Sequence, residues 1–245
     1  MKNIFDDDQF FESYQHLRQD GQSLNDLVID PALERLLPDL TGKTVLDLGC
    51  GDGRHCADFI ARGACKVIGI DISENMLQAA RMEHADSAIR YLKMSITKIA
   101  DLNETFDFIY SNMAFHYIED FHSLAITMYR ALNPNGSLLF AQEHPVITAT
   151  KGGKGHHRKS VSGKKVAYVF SDYGMPGERV THWFVDGVVK YHRRVCDILN
   201  ALIDAGFLMT RVEEPLPEQQ TVARYPALAD QFIKPTFLIV KAKKQ

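Results

Sequence analysis

Only four cysteines and one tryptophan occur in the 245 residues. Cys50, Cys56, Cys65 and Cys196 fall in no metal-ligand spacing, and three of them crowd around one strand–helix unit. That excludes a zinc site or a disulfide framework as the organising feature and leaves reduced thiols in a cytoplasmic protein. No apolar run reaches membrane-spanning length before a charge interrupts it, and no basic start with an apolar stretch behind it marks a secretory leader. Neither sign of charge dominates. The 28 basic and 31 acidic side chains leave a formal net charge of −3, too small to suggest that the molecule as a whole binds polyanions. No segment repeats. What is present is ample core material, with 45 % apolar and 24 % charged residues, in a length that suits one α/β domain with an insertion.

The segment from Phe5 to Leu17 is acidic and aromatic, with Phe10, Phe11, Tyr14 and Leu17 on one helical face. Asp30-Pro31 reads as an N-cap and first-turn proline opening a helix through Leu37 that stops at Pro38. From Thr44 the pattern alternates. Strands are expected at 44–48, 66–71, 89–93, 106–111 and 137–142, with helices at 54–62, 74–83 and 120–132 between them. Gly63 supplies a C-cap, Ser73 and Asp120 supply N-caps, and Asn133-Pro134-Asn135-Gly136 is turn chemistry. Such alternation implies parallel pairing and a doubly wound α/β sheet, whose ligands bind beyond the carboxyl ends of the strands. Residues 145–192 break the rhythm with a basic stretch, Lys151 to Lys165, read as a solvated loop, and two β-like runs, 166–170 and 180–191. A helix over 194–205 and strands at 207–213 and 236–242 close the chain.

The sharpest signal is Val45-Leu46-Asp47-Leu48-Gly49-Cys50-Gly51-Asp52-Gly53. Glycines directly after a strand let the backbone turn and let a ligand approach without an intervening Cβ. Asp71 ends the next strand about twenty residues on, where an acid accepts hydrogen bonds from ribose hydroxyls. The pair indicates a nucleoside-bearing cofactor. A dinucleotide requires a third glycine where Arg54 stands, and Asp52 opposes a pyrophosphate at the helix N-terminus. Acids at 47 and 52 suit a cation instead.

This stretch resembles motif I of the class I S-adenosylmethionine (SAM)-dependent methyltransferases. The similarity continues through Asp71, Phe106-Asp107-Phe108-Ile109 and Leu132-Asn133-Pro134-Asn135-Gly136, covering roughly residues 40–145 well. The resemblance implies a mostly parallel seven-stranded sheet with its last strand antiparallel, plus an N-terminal helical lid and a β-containing insertion before the C-terminal helix. A single domain over 1–245 would divide into lid helices (1–40), SAM-binding core (41–144), insertion or acceptor lid (145–192) and a closing helix with strands (193–245). It further implies that Gly49, Cys50 and Gly51 give backbone contact to the methionine part of SAM, with Asp47 near its amino group. Asp71 would hold the ribose, Ile72 and Met76 would pack beside the adenine, and Tyr14 and Arg18 resemble lid positions that close on the cofactor carboxylate. Many members carry an aspartate after the third strand. Met94-Ser95-Ile96 stands there in this chain, so Ser95, Ile96 or backbone groups would serve the adenine. Ser111, at the end of the fourth strand, completes the expected cofactor contacts. S-adenosylhomocysteine (SAH) would be the product.

Methyl transfer needs alignment, exclusion of water and, for some acceptors, removal of a proton. The loop Ser111-Asn112-Met113-Ala114-Phe115-His116-Tyr117 lacks the prolines of the members that methylate adenine or glutamine nitrogens, and no Pro-Cys nucleophile occurs. Both absences favour a small-molecule acceptor over nucleic acid. His116 is the leading general-base candidate, and His144, in Glu143-His144-Pro145, faces the same space. His182, Trp183, Tyr191 and His192 are candidates for an aromatic acceptor pocket, with strand packing as the alternative for some of them. The competing functions are an RNA or protein methyltransferase gripping through the basic stretch and a SAM-binding regulator without turnover. No membrane partner is expected, and a homodimer is compatible with the sequence.

Overall fold

The computed structural model describes Asp6, Ser13 and residues 21–245; Tyr14 and Arg18 lie outside the described residues. Eleven strands are present among these residues. Seven form one sheet. In sequence order they are β1 (Thr44–Leu48), β2 (Lys66–Asp71), β3 (Ile89–Lys93), β4 (Phe106–Asn112), β5 (Leu132–Glu143), β10 (Phe207–Glu213) and β11 (Phe237–Lys244). Their spatial order is β10-β11-β5-β4-β1-β2-β3. Strands β1 to β5 pair in parallel, and β11 runs antiparallel to both β5 and β10. The expected mostly parallel seven-stranded sheet with an antiparallel last strand is therefore the observed fold.

Both faces of the sheet are covered because its strands carry apolar side chains on both sides. In β5, Leu138 and Phe140 join one buried cluster while Leu139 and Ala141 join the other. One cluster is completed by α4 (Phe121–Ala131) and α6 (Val195–Asp204). The opposite cluster is completed by α1 (Asp30–Leu36), α2 (Arg54–Ala61) and Leu77 of α3 (Glu74–Glu83). Two N-cap expectations hold in detail. The Ser73 hydroxyl accepts from Met76 N, and the Asp120 carboxylate accepts from Ser123 N.

Three local expectations are corrected. Asp30 does not cap α1. The helical path already begins in a π turn at Asn25–Ile29, and Ser23 with Asp26 forms the reciprocal cap: Ser23 N donates to Asp26 Oδ2 at 3.0 Å and Asp26 N to Ser23 Oγ at 3.3 Å. Ser-x-x-Asp is a capping-box pattern. Asp30 instead accepts from Arg54 Nη2 (2.8 Å) and Asn112 Nδ2 (3.0 Å). The basic stretch is not a plain loop, because β6 (His156–Lys159) pairs antiparallel with β7 (Lys165–Val169). The run over 180–191 is not one strand but a hairpin, β8 (Gly177–Trp183) and β9 (Val185–His192), turning at Phe184 with φ 59. A short helix α5 (Pro145–Thr148) and a later α7 (Gln219–Arg224) are also present. No helix among the described residues is long and apolar enough to cross a membrane. All four cysteines are free, and no described cluster of His, Cys, Asp and Glu has the makings of a metal site.

Candidate active site

The carboxyl ends of β1 to β5 open into one cavity of about 410 Å³. Gly49 and Gly51 follow β1, Asp71 and Ile72 end β2, Ser95 and Ile96 follow β3, Asn112 and Met113 end β4, and Glu143 ends β5; all of them line it. Parallel strands place these loops side by side, so residues distant in sequence share one rim.

The glycine turn and Asp71 are physically joined. Gly51 N donates to Asp71 Oδ2 at 3.0 Å, and Ser73 N to Asp71 Oδ1 at 2.9 Å. Burial pushes the Asp71 carboxyl upward, against the opposing pull of these backbone donors. Gly49 sits at φ 78, and a Cβ there would lie 2.7 Å from Ala114 Cβ. Gly51, at φ 54, faces open space. The turn's amides are spent internally: Gly49 N and Cys50 N both donate to Ile70 O, Gly53 N to Cys50 O, and Arg54 N to Asp52 Oδ1. A phosphate site presents free amides; this turn has used them, and a carboxylate fills the start of α2. Arg54, which stands where a dinucleotide loop needs glycine, points to α1 and pairs with Asp26 (3.4 Å) and Asp30 (2.8 Å).

Around this turn the lining suits adenosine. Ile72 is 44 % exposed within the cavity wall, beside Met76, an apolar shelf for a flat ring. Ser95 and Thr97 hydroxyls pair at 2.8 Å on the same rim. Asn112 lines the cavity, and its Oδ1 is buried without a partner among the described residues. Met113 adopts φ 63 at the cavity edge, held by Met113 N donating to Ala141 O; an unbranched residue tolerates this region at some cost.

Several side chains among the expected site residues lie off the cavity. Asp47 is 1 % exposed and lies beneath the turn, accepting from Cys56 Sγ at 3.4 Å. Strand alternation explains this, since Val45 shares its face while Leu46 and Leu48 take the other. The Cys50 side chain is buried and packs against Gly69, while the contact expected of this residue is a backbone one. Ser111 is fully buried, and its hydroxyl donates to Leu48 O at 2.7 Å. None of these three side chains lines the cavity. His144 does not either. Its Nδ1 accepts from Val146 N and its Nε2 pairs with Glu214 at 3.0 Å, so it caps α5. His182 points outward to Asp186, and His192 is locked between Thr148 and Tyr173 O. Of the expected pocket aromatics, Trp183 and Tyr191 are lining residues.

His116 does line the cavity, 3 % exposed. Its Nδ1 accepts from Glu143 N at 3.5 Å, so in the neutral ring the proton resides on Nε2. Burial drives its pKa down to about 3, with Glu143 opposing and Lys190 and Arg193 adding to the fall. Beside it, Glu143 Oε1 accepts from Lys190 Nζ at 2.7 Å. The ammonium lies 5.4 Å from the centre of the Trp183 ring and 5.8 Å from that of Tyr117. Burial raises the Glu143 carboxyl, but His116 and Lys190 outweigh it and hold the group below its ordinary value. This Glu143–Lys190 pair went unforeseen, because the two residues are 47 positions apart and only the β8–β9 hairpin joins them.

A parallel sheet, an amide-satisfied glycine turn tied to a carboxylate, and an apolar shelf together define a nucleoside-binding α/β transferase that takes a cationic rather than a phosphorylated ligand. Comparison with known proteins agrees. Residues 46–140 match the family model described as a methyltransferase domain. A SAM-dependent methyltransferase structure from Mesorhizobium loti is 35 % identical, covers 91 % of this chain and 99 % of its own, and superposes with a TM-score of 0.81. An uncharacterised Haemophilus influenzae protein is 40 % identical over 99 % of this chain and 97 % of its own. A malonyl-[acyl-carrier protein] O-methyltransferase of Pectobacterium atrosepticum is 34 % identical over 43 % of this chain and 41 % of its own. The chain belongs to the class I SAM-dependent methyltransferases; it is an enzyme, and SAM is its methyl donor.

Proposed function

We propose that the chain methylates an oxygen, nitrogen or carbon nucleophile of a small-molecule acceptor. One observation carries this reading: the same cavity is lined by the adenosine-type features and by His116, Tyr117, Glu143, Trp183 and Tyr191. SAM supplies an electrophilic methyl on a sulfonium. The chain's task is alignment and dehydration, which a cavity under a hairpin provides. Asp71 holds the ribose, and Ile72 and Met76 flank the adenine with Ser95 and Ile96 at its edge. His116 serves as a hydrogen-bond donor through Nε2 rather than as a base, since a ring with pKa near 3 is too weakly basic for proton removal. The basic hairpin β6–β7 lines no part of the cavity, which favours a small acceptor over RNA.

The test is calorimetry with SAH, followed by a mass-spectrometric screen for methylated products from a small-molecule library and from total RNA. SAH binding with methylation of a small molecule is expected. Transfer to RNA alone, abolished by deleting the β6–β7 hairpin, would overturn the acceptor class.

A further inference from the structure

The acceptor end carries a charge pattern that selects among small molecules. Among the described lining residues the charged ones are Asp71, Glu119 and Glu143, with no lysine or arginine among them. Among the described residues an anionic acceptor would meet carboxylates, and the Lys190 ammonium beside the Trp183 and Tyr117 rings is already paired with Glu143. The walls are the rings of Tyr117, Trp183 and Tyr191, and aromatic faces with carboxylates are the chemistry of ammonium recognition. The chain demonstrates this itself. Lys190, its side chain 7 % exposed, places its ammonium on Glu143 and near the Trp183 and Tyr117 rings. That ammonium occupies one carboxylate oxygen, and Glu143 Oε2 has no partner among the described residues.

The geometry points to a primary or secondary amine on an apolar or aromatic body as the acceptor, with Glu143 Oε2 receiving its N–H. This rests on the methyltransferase reading above and narrows it. The amine nitrogen's lone pair forms the new C–N bond as the methyl C–S bond breaks. The pair of electrons from that bond returns to sulfur, giving SAH. An amine that arrives as its ammonium first releases one proton to water to free the lone pair. The N-methylammonium formed keeps its N–H donated to Glu143, which acts as acceptor and not as base.

Trp183 is the only tryptophan in the chain and lines the acceptor end, so its fluorescence reports occupancy there directly. With SAH bound, the full chain would be titrated with phenethylamine, 3-phenylpropanoate and 2-phenylethanol. Phenethylamine is expected to bind at least tenfold more tightly than either analogue and, with SAM, to yield the N-methyl product. Equal or tighter binding of the carboxylate or the alcohol overturns the inference. A Glu143→Gln variant should lose the preference at unchanged SAH affinity. Since it leaves Lys190 buried without a carboxylate, the double variant Glu143→Gln/Lys190→Met is measured alongside, and a preference that survives in it also overturns the inference. Failure of SAH to bind the wild type counts instead against the cofactor site, which keeps the two results distinct.

Discussion

Asp47→Asn tests the placement of the motif's first acid. The carboxyl is fully enclosed beneath the glycine turn, and burial pushes it up to about 7, with the Cys56 thiol opposing and Asp71 and Asp52 adding repulsion. In the unfolded chain the same group ionises near 3.8. Between those values the folded protein holds a proton that the unfolded chain has released. Stability therefore falls as pH rises through the window; the contribution is complete below 3.8 and gone above 7. A span of about three pH units, at about 1.4 kcal/mol each, sets an upper bound of ~4 kcal/mol. Asparagine keeps the shape, offers an amide oxygen to Cys56 and never ionises. Near pH 4 the two proteins should be close in stability, and at pH 5 the variant should already lead by about 1.6 kcal/mol. At pH 8 the variant should be the more stable, by an amount approaching that bound. Urea unfolding of both at pH 5, 6, 7 and 8 supplies the difference, in which the other titrating groups cancel. A difference that stays constant over this range, or a wild type that gains on the variant as pH rises, refutes the buried placement.

Asp71→Ala removes the carboxylate that links the turn to β2, and SAH affinity should fall by about 1–3 kcal/mol by calorimetry; unchanged affinity would move the ribose elsewhere. Gly49→Ala meets both a positive φ and the Ala114 Cβ at 2.7 Å, so it should lower the melting temperature and SAH affinity together. Adding Ala114→Gly should restore only the steric part, and full rescue would show that φ is not the constraint. His116 should stay neutral from pH 5 to 8 and titrate only near 3, which nitrogen-15 spectra of its ring would read. Because its folded value lies below the unfolded 6.5, it contributes stability that is present above 6.5 and lost as pH falls toward 3. A ring that titrates near 6.5 restores it as a base.

Much of this protein was legible in one dimension. Strand–helix alternation from Thr44 to Glu143, the glycine turn and Asp71 depend on local periodicity and on backbone conformations that few residues permit. Those cues act over short separations, so a sequence displays them. Strand alternation also placed Asp47 on a face, but which side of the sheet α2 covers is decided only when the layers pack, and that put the acid below the turn. The histidines show the same division. Nothing adjacent to His116 reveals that Glu143 N will occupy its Nδ1, and nothing adjacent to His144 reveals Glu214. Lys190 reaches Glu143 only because a hairpin folds back over the strand ends. The sequence alone determined a doubly wound sheet with an adenosine-type turn. Tertiary structure decided which side chains face the cavity and in which protonation state, because burial and long-range partners, absent from any local window, set both.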